Sequence, residues 1–151
     1  MSTEQAITKI SGVLKMIIES SGDVSSNEAS HFDSKNLPPI SIEDYIVRFI
    51  TYSKSPNEVY ICTYIVMKRF CTDNNITLTL KNVHRIFAIA FVCCVKFILD
   101  DIFSMRWYAY IAGISIEEIN KLEQIFLIDI DWNLNINSDE YMHVIEYLLS
   151  L

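Results

Sequence analysis

The feature that most constrains the fold of this 151-residue chain is the apolar segment from Lys81 to Leu99. Between Ile86 and Leu99 the only charged residue is Lys96, so a helix here is apolar nearly all round. The run is shorter than the roughly 20 residues that span a bilayer. We therefore predict a helix buried at the centre of a domain, and no contact with a membrane.

Helical patterns also occupy both sides of this segment. A first helix, residues 2–20, places four apolar side chains on one stripe: Ile7, Ile10, Leu14 and Ile17. Further helix starts are predicted from N-cap residues and capping boxes at Ser41, at Ser55 with Pro56 and Glu58, at Ser115 with Glu118, and at Ser138. With 3 Gly, 3 Pro and no convincing strand pattern, the predicted fold class is all-α.

The composition changes once along the chain, between the first helix and Ser41. Residues 21–40 are rich in Ser, Asp, Asn and Pro and predict a loop. The chain thus divides into an N-terminal amphipathic helix, residues 1–20, this loop, and one helical domain, residues 41–151, which is long enough to bury a core.

Charge and cysteine usage narrow the class of partner and the compartment. The net charge of −7 argues against a nucleic-acid partner, because such a surface needs cations that replace counterions. No signal peptide opens the chain, and the cysteines show no CxxC spacing. We expect an intracellular protein, cytoplasmic or nuclear, with four free thiols: Cys62, Cys71, Cys93 and Cys94.

Motifs for catalysis and metal binding do not occur in the sequence. It contains no Gly-rich phosphate loop, no HExxH and no GxSxG. Its three histidines, none of which has a zinc-like spacing, are His31, His84 and His143. We predict no catalytic residue, no metal, no cofactor and no small-molecule substrate.

Two charged residues stand in apolar surroundings. Lys96 shares a stripe of the central helix with Ile89 and Val92, and Glu123 shares one with Ile119 and the apolar residues that follow it. Lys96 could extend to solvent from the last turn of its helix, and Glu123 could be the solvated flank of an amphipathic helix. Alternatively, the two form one mixed-charge site that another protein binds.

The chain from Pro39 to Asn137 resembles the P/U-type cyclins, also called the phosphate-regulon type. The first helix and the loop with His31-Phe32 are similar to the leader of that family, so the resemblance covers nearly the whole chain. The shared motifs are Ser55-Pro56, Asn82 to Arg85, Lys96-Phe97 with Asp100-Asp101, Tyr108-Ala109, Ala112 to Ser115, Leu122-Glu123 with Phe126-Leu127, and Asn133-Leu134.

This resemblance implies a single five-helix cyclin box with an additional N-terminal helix. It also implies a regulatory subunit, with no catalysis of its own, that binds and activates a cyclin-dependent protein kinase by docking on the mobile regulatory helix of the kinase. Lys96 and Glu123 are then the charged pair that holds that helix. Apolar kinase-binding residues implied by the resemblance are Phe97, Leu127, Trp132 and Leu134.

The sequence departs from the family pattern at a few positions. Ala112 stands where one of two glycines is usual, Tyr110 stands where Lys is common, and Asp100-Asp101 lies one residue late. Two alternative functions therefore stay open: a cyclin-fold adaptor without kinase activation, and a transcription-factor-like module. The stripe of the first helix packs either on the cyclin box, as we expect, or on the kinase.

Overall fold

The computed structural model describes residues 1–21 and 31–151, and these residues form seven α-helices and no strand. The predicted all-α class is confirmed. The helices are α1 (Thr3–Ser20), α2 (Ile42–Ser53), α3 (Asn57–Asp73), α4 (Val83–Ile98), α5 (Met105–Ala112), α6 (Ile116–Asp129) and α7 (Ser138–Leu149). Helices α2 to α6 match the number of helices in the expected cyclin box, and α1 is the additional helix. Helix α7, whose start was predicted near Ser138, is one helix more than the resemblance implies.

The central position predicted for the apolar segment is confirmed in α4. Every side chain from Val83 to Val95 is buried except Arg85, and the helix packs against α2, α3, α5 and α6. Two of its rings, Phe87 and Phe91, contact Phe49 of α2 at centroid distances of 5.4 and 4.9 Å. Burying one such side chain contributes about 1.5–3 kcal/mol, so α4 supplies much of the stability of the domain.

Helix α1 packs on the same domain, as expected, and contacts α2, α3 and α7. Ile10 and Leu14 are fully buried, and Ile7 and Ile17 are partly buried against the same core. The hydroxyl of Ser2 accepts a hydrogen bond from the amide of Gln5, which starts the helix with a capping box.

Two predicted helix starts are wrong by one residue. Pro56 has an extended conformation and is itself the N-cap of α3, while the hydroxyl of Ser55 is buried without a partner among the described residues. Only three residues link α2 to α3, and the first of them, Lys54, has a left-handed conformation with φ of 52°. In α7 the cap is Asn137, whose side chain accepts a hydrogen bond from the amide of Glu140.

Residues 31–40 contain no helix, as the predicted loop requires, and residues 22–30 of that loop lie outside the described residues. Phe32 is buried and packs edge-on against Phe70, with ring centroids 5.2 Å apart. The amide of Ser34 donates a hydrogen bond to the carbonyl of Lys81 at 2.8 Å. Phe32 and Ser34 therefore hold this segment against the helical domain.

All four cysteines are free thiols, as predicted. Burial raises the pKa of the Cys94 thiol to about 12 and that of Cys62 to about 11. None of the described helices combines the length and the hydropathy that crossing a membrane requires.

Candidate functional site

Two ion pairs join α4 to α6, at different positions along the two helices. Arg85 in the first turn of α4 pairs with Glu118 in the first turn of α6. Lys96 in the last turn of α4 pairs with Glu123, which lies farther along α6. The two helices therefore run in the same direction, and the second pair lies where α4 ends.

The contact between Lys96 and Glu123 is asymmetric. The Nζ of Lys96 donates a hydrogen bond to Oε1 of Glu123 at 3.1 Å and lies 2.8 Å from Oε2. The contact with Oε2 has the distance of an ion pair but not the angles of a hydrogen bond. Oε2 is buried, and no described residue donates a hydrogen bond to it. The Lys96 side chain is 37% exposed and that of Glu123 only 14% exposed, so Glu123 is not a solvated flank.

The apolar residues predicted to accompany this pair divide into two groups. Phe97 and Trp132 are exposed, with 57% and 65% of their surface accessible. Leu127 and Leu134 are half-buried and pack against the core. Phe97 follows Lys96 in the chain, and Leu127 lies one helical turn beyond Glu123, so Leu127 lies on the same side of α6 as Glu123.

The backbone after α6 turns Trp132 outward. Asp131 and Trp132 both have left-handed conformations, with φ of 55° and 58°. Such a conformation is a true outlier for a bulky residue and costs on the order of 1–3 kcal/mol. The amide of Trp132 donates a hydrogen bond to the carbonyl of Leu127 at 2.8 Å, which closes the end of the helix. Strain of this size is tolerated because the surrounding contacts fix the turn.

Arg69 of α3 holds this turn, and sequence reasoning did not identify it. Its Nη1 donates hydrogen bonds to the carbonyls of Asn133 and Asn135 at 2.8 and 3.2 Å, and its Nη2 donates to Glu140 at 3.0 Å. The guanidinium thus connects α3 to α7 across the segment that contains Trp132. The sequence contains little sign of this role, since Lys68 stands beside Arg69 on the same helix.

Ile128 is a second residue that sequence reasoning missed. It is 64% exposed and lies near the end of α6, between Leu127 and the Trp132 turn. The segment from Ile125 to Ile128 is apolar throughout, and a helix that packs on one side must leave one of these four side chains in water. The sequence therefore contained the signal, although not which residue would be exposed.

A model of the family described as Cyclin matches residues 4–134 of the chain. The chain belongs to the cyclin family. Among curated proteins, this cyclin is 27% identical over 135 residues to Cyclin-U2-2 of Arabidopsis thaliana, covering 89% of this chain and 58% of that protein. It is 31% identical to the PHO85 cyclin-like protein psl1 of Schizosaccharomyces pombe, covering 79% and 50%. It is 27% identical to PHO85 cyclin-7 of Saccharomyces cerevisiae, covering 91% and 58%.

These relatives support the expected resemblance to the P/U type, since they include U-type and PHO85 cyclins. The match spans 48–65% of the length of three Arabidopsis U-type relatives, so this cyclin corresponds to part of each of them. Within residues 1–21 and 31–151, no group of three or more metal-ligating side chains is positioned to hold an ion.

Proposed function

We propose that this cyclin binds a cyclin-dependent protein kinase through the surface where α4 and α6 end, and activates it by holding the mobile regulatory helix of the kinase. The observation that supports this most is the ion pair itself: Lys96 and Glu123, 27 residues apart in the sequence, lie 2.8 Å apart, and the Lys96 side chain stays 37% exposed. A docked kinase helix binds the part of the pair that stays exposed.

Lys96 supplies hydrogen-bond donors beside the carboxylate of Glu123. Its ammonium group has three N–H donors and uses one in the hydrogen bond to Oε1, so it can also donate to a backbone carbonyl of the kinase. One pair then offers a donor and an acceptor to the same segment of backbone. Holding both charges in place beforehand lowers the entropy cost of binding.

Large apolar side chains are exposed on the segments that follow Lys96 and Glu123 in the chain. Phe97, Ile128 and Trp132 are large and more than half exposed. Interface hot spots are enriched in aromatic side chains that enter pockets on the partner and exclude water from the polar groups beside them. Leu127 and Leu134, which are partly buried against the core, are the other two apolar residues that we propose for this surface.

Activation follows from placing one helix of the kinase. The catalytic lysine of a protein kinase must pair with a glutamate of its mobile regulatory helix. A partner that binds only the inward position of that helix shifts the population of the kinase towards the active state. The names of two yeast relatives, a PHO85 cyclin and a PHO85 cyclin-like protein, agree with a kinase-regulating role.

The experiment uses the kinase that copurifies with the tagged chain and is identified by mass spectrometry. Phosphate transfer to a generic peptide is measured while the cyclin is titrated. Wild type is expected to raise the rate with saturation, and Glu123→Ala to require at least about 30 times more protein. The matched control is Glu43→Ala, because Glu43 forms an exposed ion pair with Lys15 at 3.1 Å on α1 and α2. Binding without activation would support the adaptor alternative instead.

A further inference from the structure

A cavity of about 450 Å³ lies between the segment 34–40, α2, the first turn of α4 and the end of α5. Its volume falls within the range of ligand sites in proteins. It is separate from the pair at the end of α4, since none of the kinase-binding residues lines it. What the cavity binds is set by the charges that face it.

The cavity is lined by cationic groups. They are Lys35, Arg48 and Arg85, with His84 beside them, and no carboxylate is among the described residues that line it. This local excess of positive charge contrasts with the net charge of −7 of the whole chain. Arg85 is partly neutralised by Glu118, which lies outside the lining, whereas Arg48 has no carboxylate partner among the described residues.

Arg48 keeps hydrogen-bonding capacity for a ligand. It donates from Nε to the carbonyl of Ile111 at 2.8 Å and from Nη2 to that of Tyr110 at 3.2 Å, which uses two of its five N–H groups. Burial raises the pKa of the Tyr45 hydroxyl, and the positive charges of Arg48 and Arg85 oppose this shift. Both guanidinium groups line this cavity.

The walls are held in place before any ligand arrives. The amide of Ser34 donates to Lys81, and the Nε2 of His84 lies 2.7 Å from the carbonyl of Ile40, so both ends of the loop wall are fastened. The hydroxyl of Tyr45 donates to the carbonyl of Ala112 at 2.6 Å and joins α2 to the end of α5. A cavity built in this way keeps its shape when empty, which favours binding.

An aromatic surface continues from the cavity through Arg48. The guanidinium lies over the rings of Tyr52 and Tyr110, 5.6 and 5.5 Å from their centroids. Tyr110 stacks on Trp107 at 5.5 Å, Phe103 follows at 6.0 Å, and Tyr110 is 61% exposed. Exposed Tyr, Trp and Arg side chains are the residues that protein interfaces use most.

We propose that this cavity binds the phosphate of a phosphorylated serine or threonine in a partner peptide, while the neighbouring peptide residues lie on the aromatic surface. A phosphate carries close to two negative charges and three acceptor oxygens. It therefore matches a cavity lined by two guanidinium groups and a lysine better than a carboxylate, with its single charge, would. A free phosphate would leave the aromatic surface uncovered, and this favours a peptide. None of the residues proposed for kinase binding lines the cavity, so phosphate binding here needs none of them.

The test measures fluorescence polarisation with a pool of labelled nonapeptides that contain a central phosphoserine and random flanking residues. Wild type is expected to bind this pool at least about tenfold more tightly than the same pool with serine. Arg48→Gln should weaken binding about 10- to 100-fold. Because Arg48 also binds carbonyls of α5, Lys35→Glu is the second variant, and a loss of about tenfold is expected without any change in melting temperature.

Arg106→Gln is the matched control, because Arg106 is exposed on α5 and does not line the cavity. This variant and Lys96→Ala should both bind the pool within about twofold of wild type. Equal binding of the phosphoserine and serine pools, absence of binding, or a Lys35→Glu variant that binds like wild type would overturn the proposal. Inorganic phosphate that binds as tightly as the phosphoserine pool would overturn the peptide part.

Discussion

Truncating Leu14 to alanine tests whether α1 is part of the folded domain. The side chain of Leu14 is fully buried where α1 meets the other helices. Replacing a buried Leu by Ala costs about 2–5 kcal/mol, through lost burial and the cavity that remains. Because α1 lies at the edge of the core and can move inward to fill part of that space, we expect about 3 kcal/mol. For a chain of this size the melting temperature then falls by about 6–12 °C.

The assay is urea unfolding followed by far-UV circular dichroism, with Met16→Ala as the control. Met16 is on the same helix and 57% exposed, so its truncation should change the free energy of unfolding by at most about 0.5 kcal/mol. Equal, small effects of the two substitutions would refute the packing of α1 on the domain. The stripe of α1 would then be free to bind a partner.

Three further predictions follow from the buried polar and charged groups. Cys93 and Cys94 should resist iodoacetamide at pH 8 without denaturant, because burial raises the pKa of both thiols; rapid labelling would contradict their burial. Burial lowers the pKa of His84, so the unfolded state binds its proton more readily, and stability should fall as pH drops below about 6.5. Urea midpoints at pH 7.5 and 5.5 should differ less for His84→Gln than for wild type, and an unchanged difference would argue against this role. Arg69→Ala should release the Trp132 turn and lower kinase affinity at least about tenfold, whereas an unaltered Trp fluorescence and affinity would show that the turn holds itself.

How far the sequence predicts the fold depends on whether a feature is local. The burial of α4 follows from its composition alone, and the end of α5 follows from Gly113, which adopts its φ of 73° without the strain that a side chain would bring. The start of α3 was misplaced because Ser55 and Pro56 have good local signals that a three-residue link overrides.

The candidate site was only partly accessible from the sequence. Lys96 and Glu123 are unusual in the sequence because each is a charged residue on an apolar stripe of its helix. The distance between the two side chains depends on how α4 and α6 cross, which no local pattern encodes. The support from Arg69 is a tertiary contact to residues more than 60 positions away. The left-handed turn at Trp132 likewise follows from contacts of the folded domain and not from the residues that form it.

The most direct test of the account is calorimetry of kinase binding by Lys96→Ala, Glu123→Ala and the double variant, with Lys15→Ala and Glu43→Ala as matched controls. Truncating one member of a pair that is buried by the partner typically costs about 2–5 kcal/mol, or roughly 30- to several-thousand-fold in affinity. We predict a loss of that size for each single variant at unchanged melting temperature, and a double variant that loses less than the sum, because the two charges act together. The control pair remains in water and should change affinity by less than about twofold. Losses of equal size across both pairs would show that Lys96 and Glu123 are ordinary surface charges, and would contradict kinase binding at this surface.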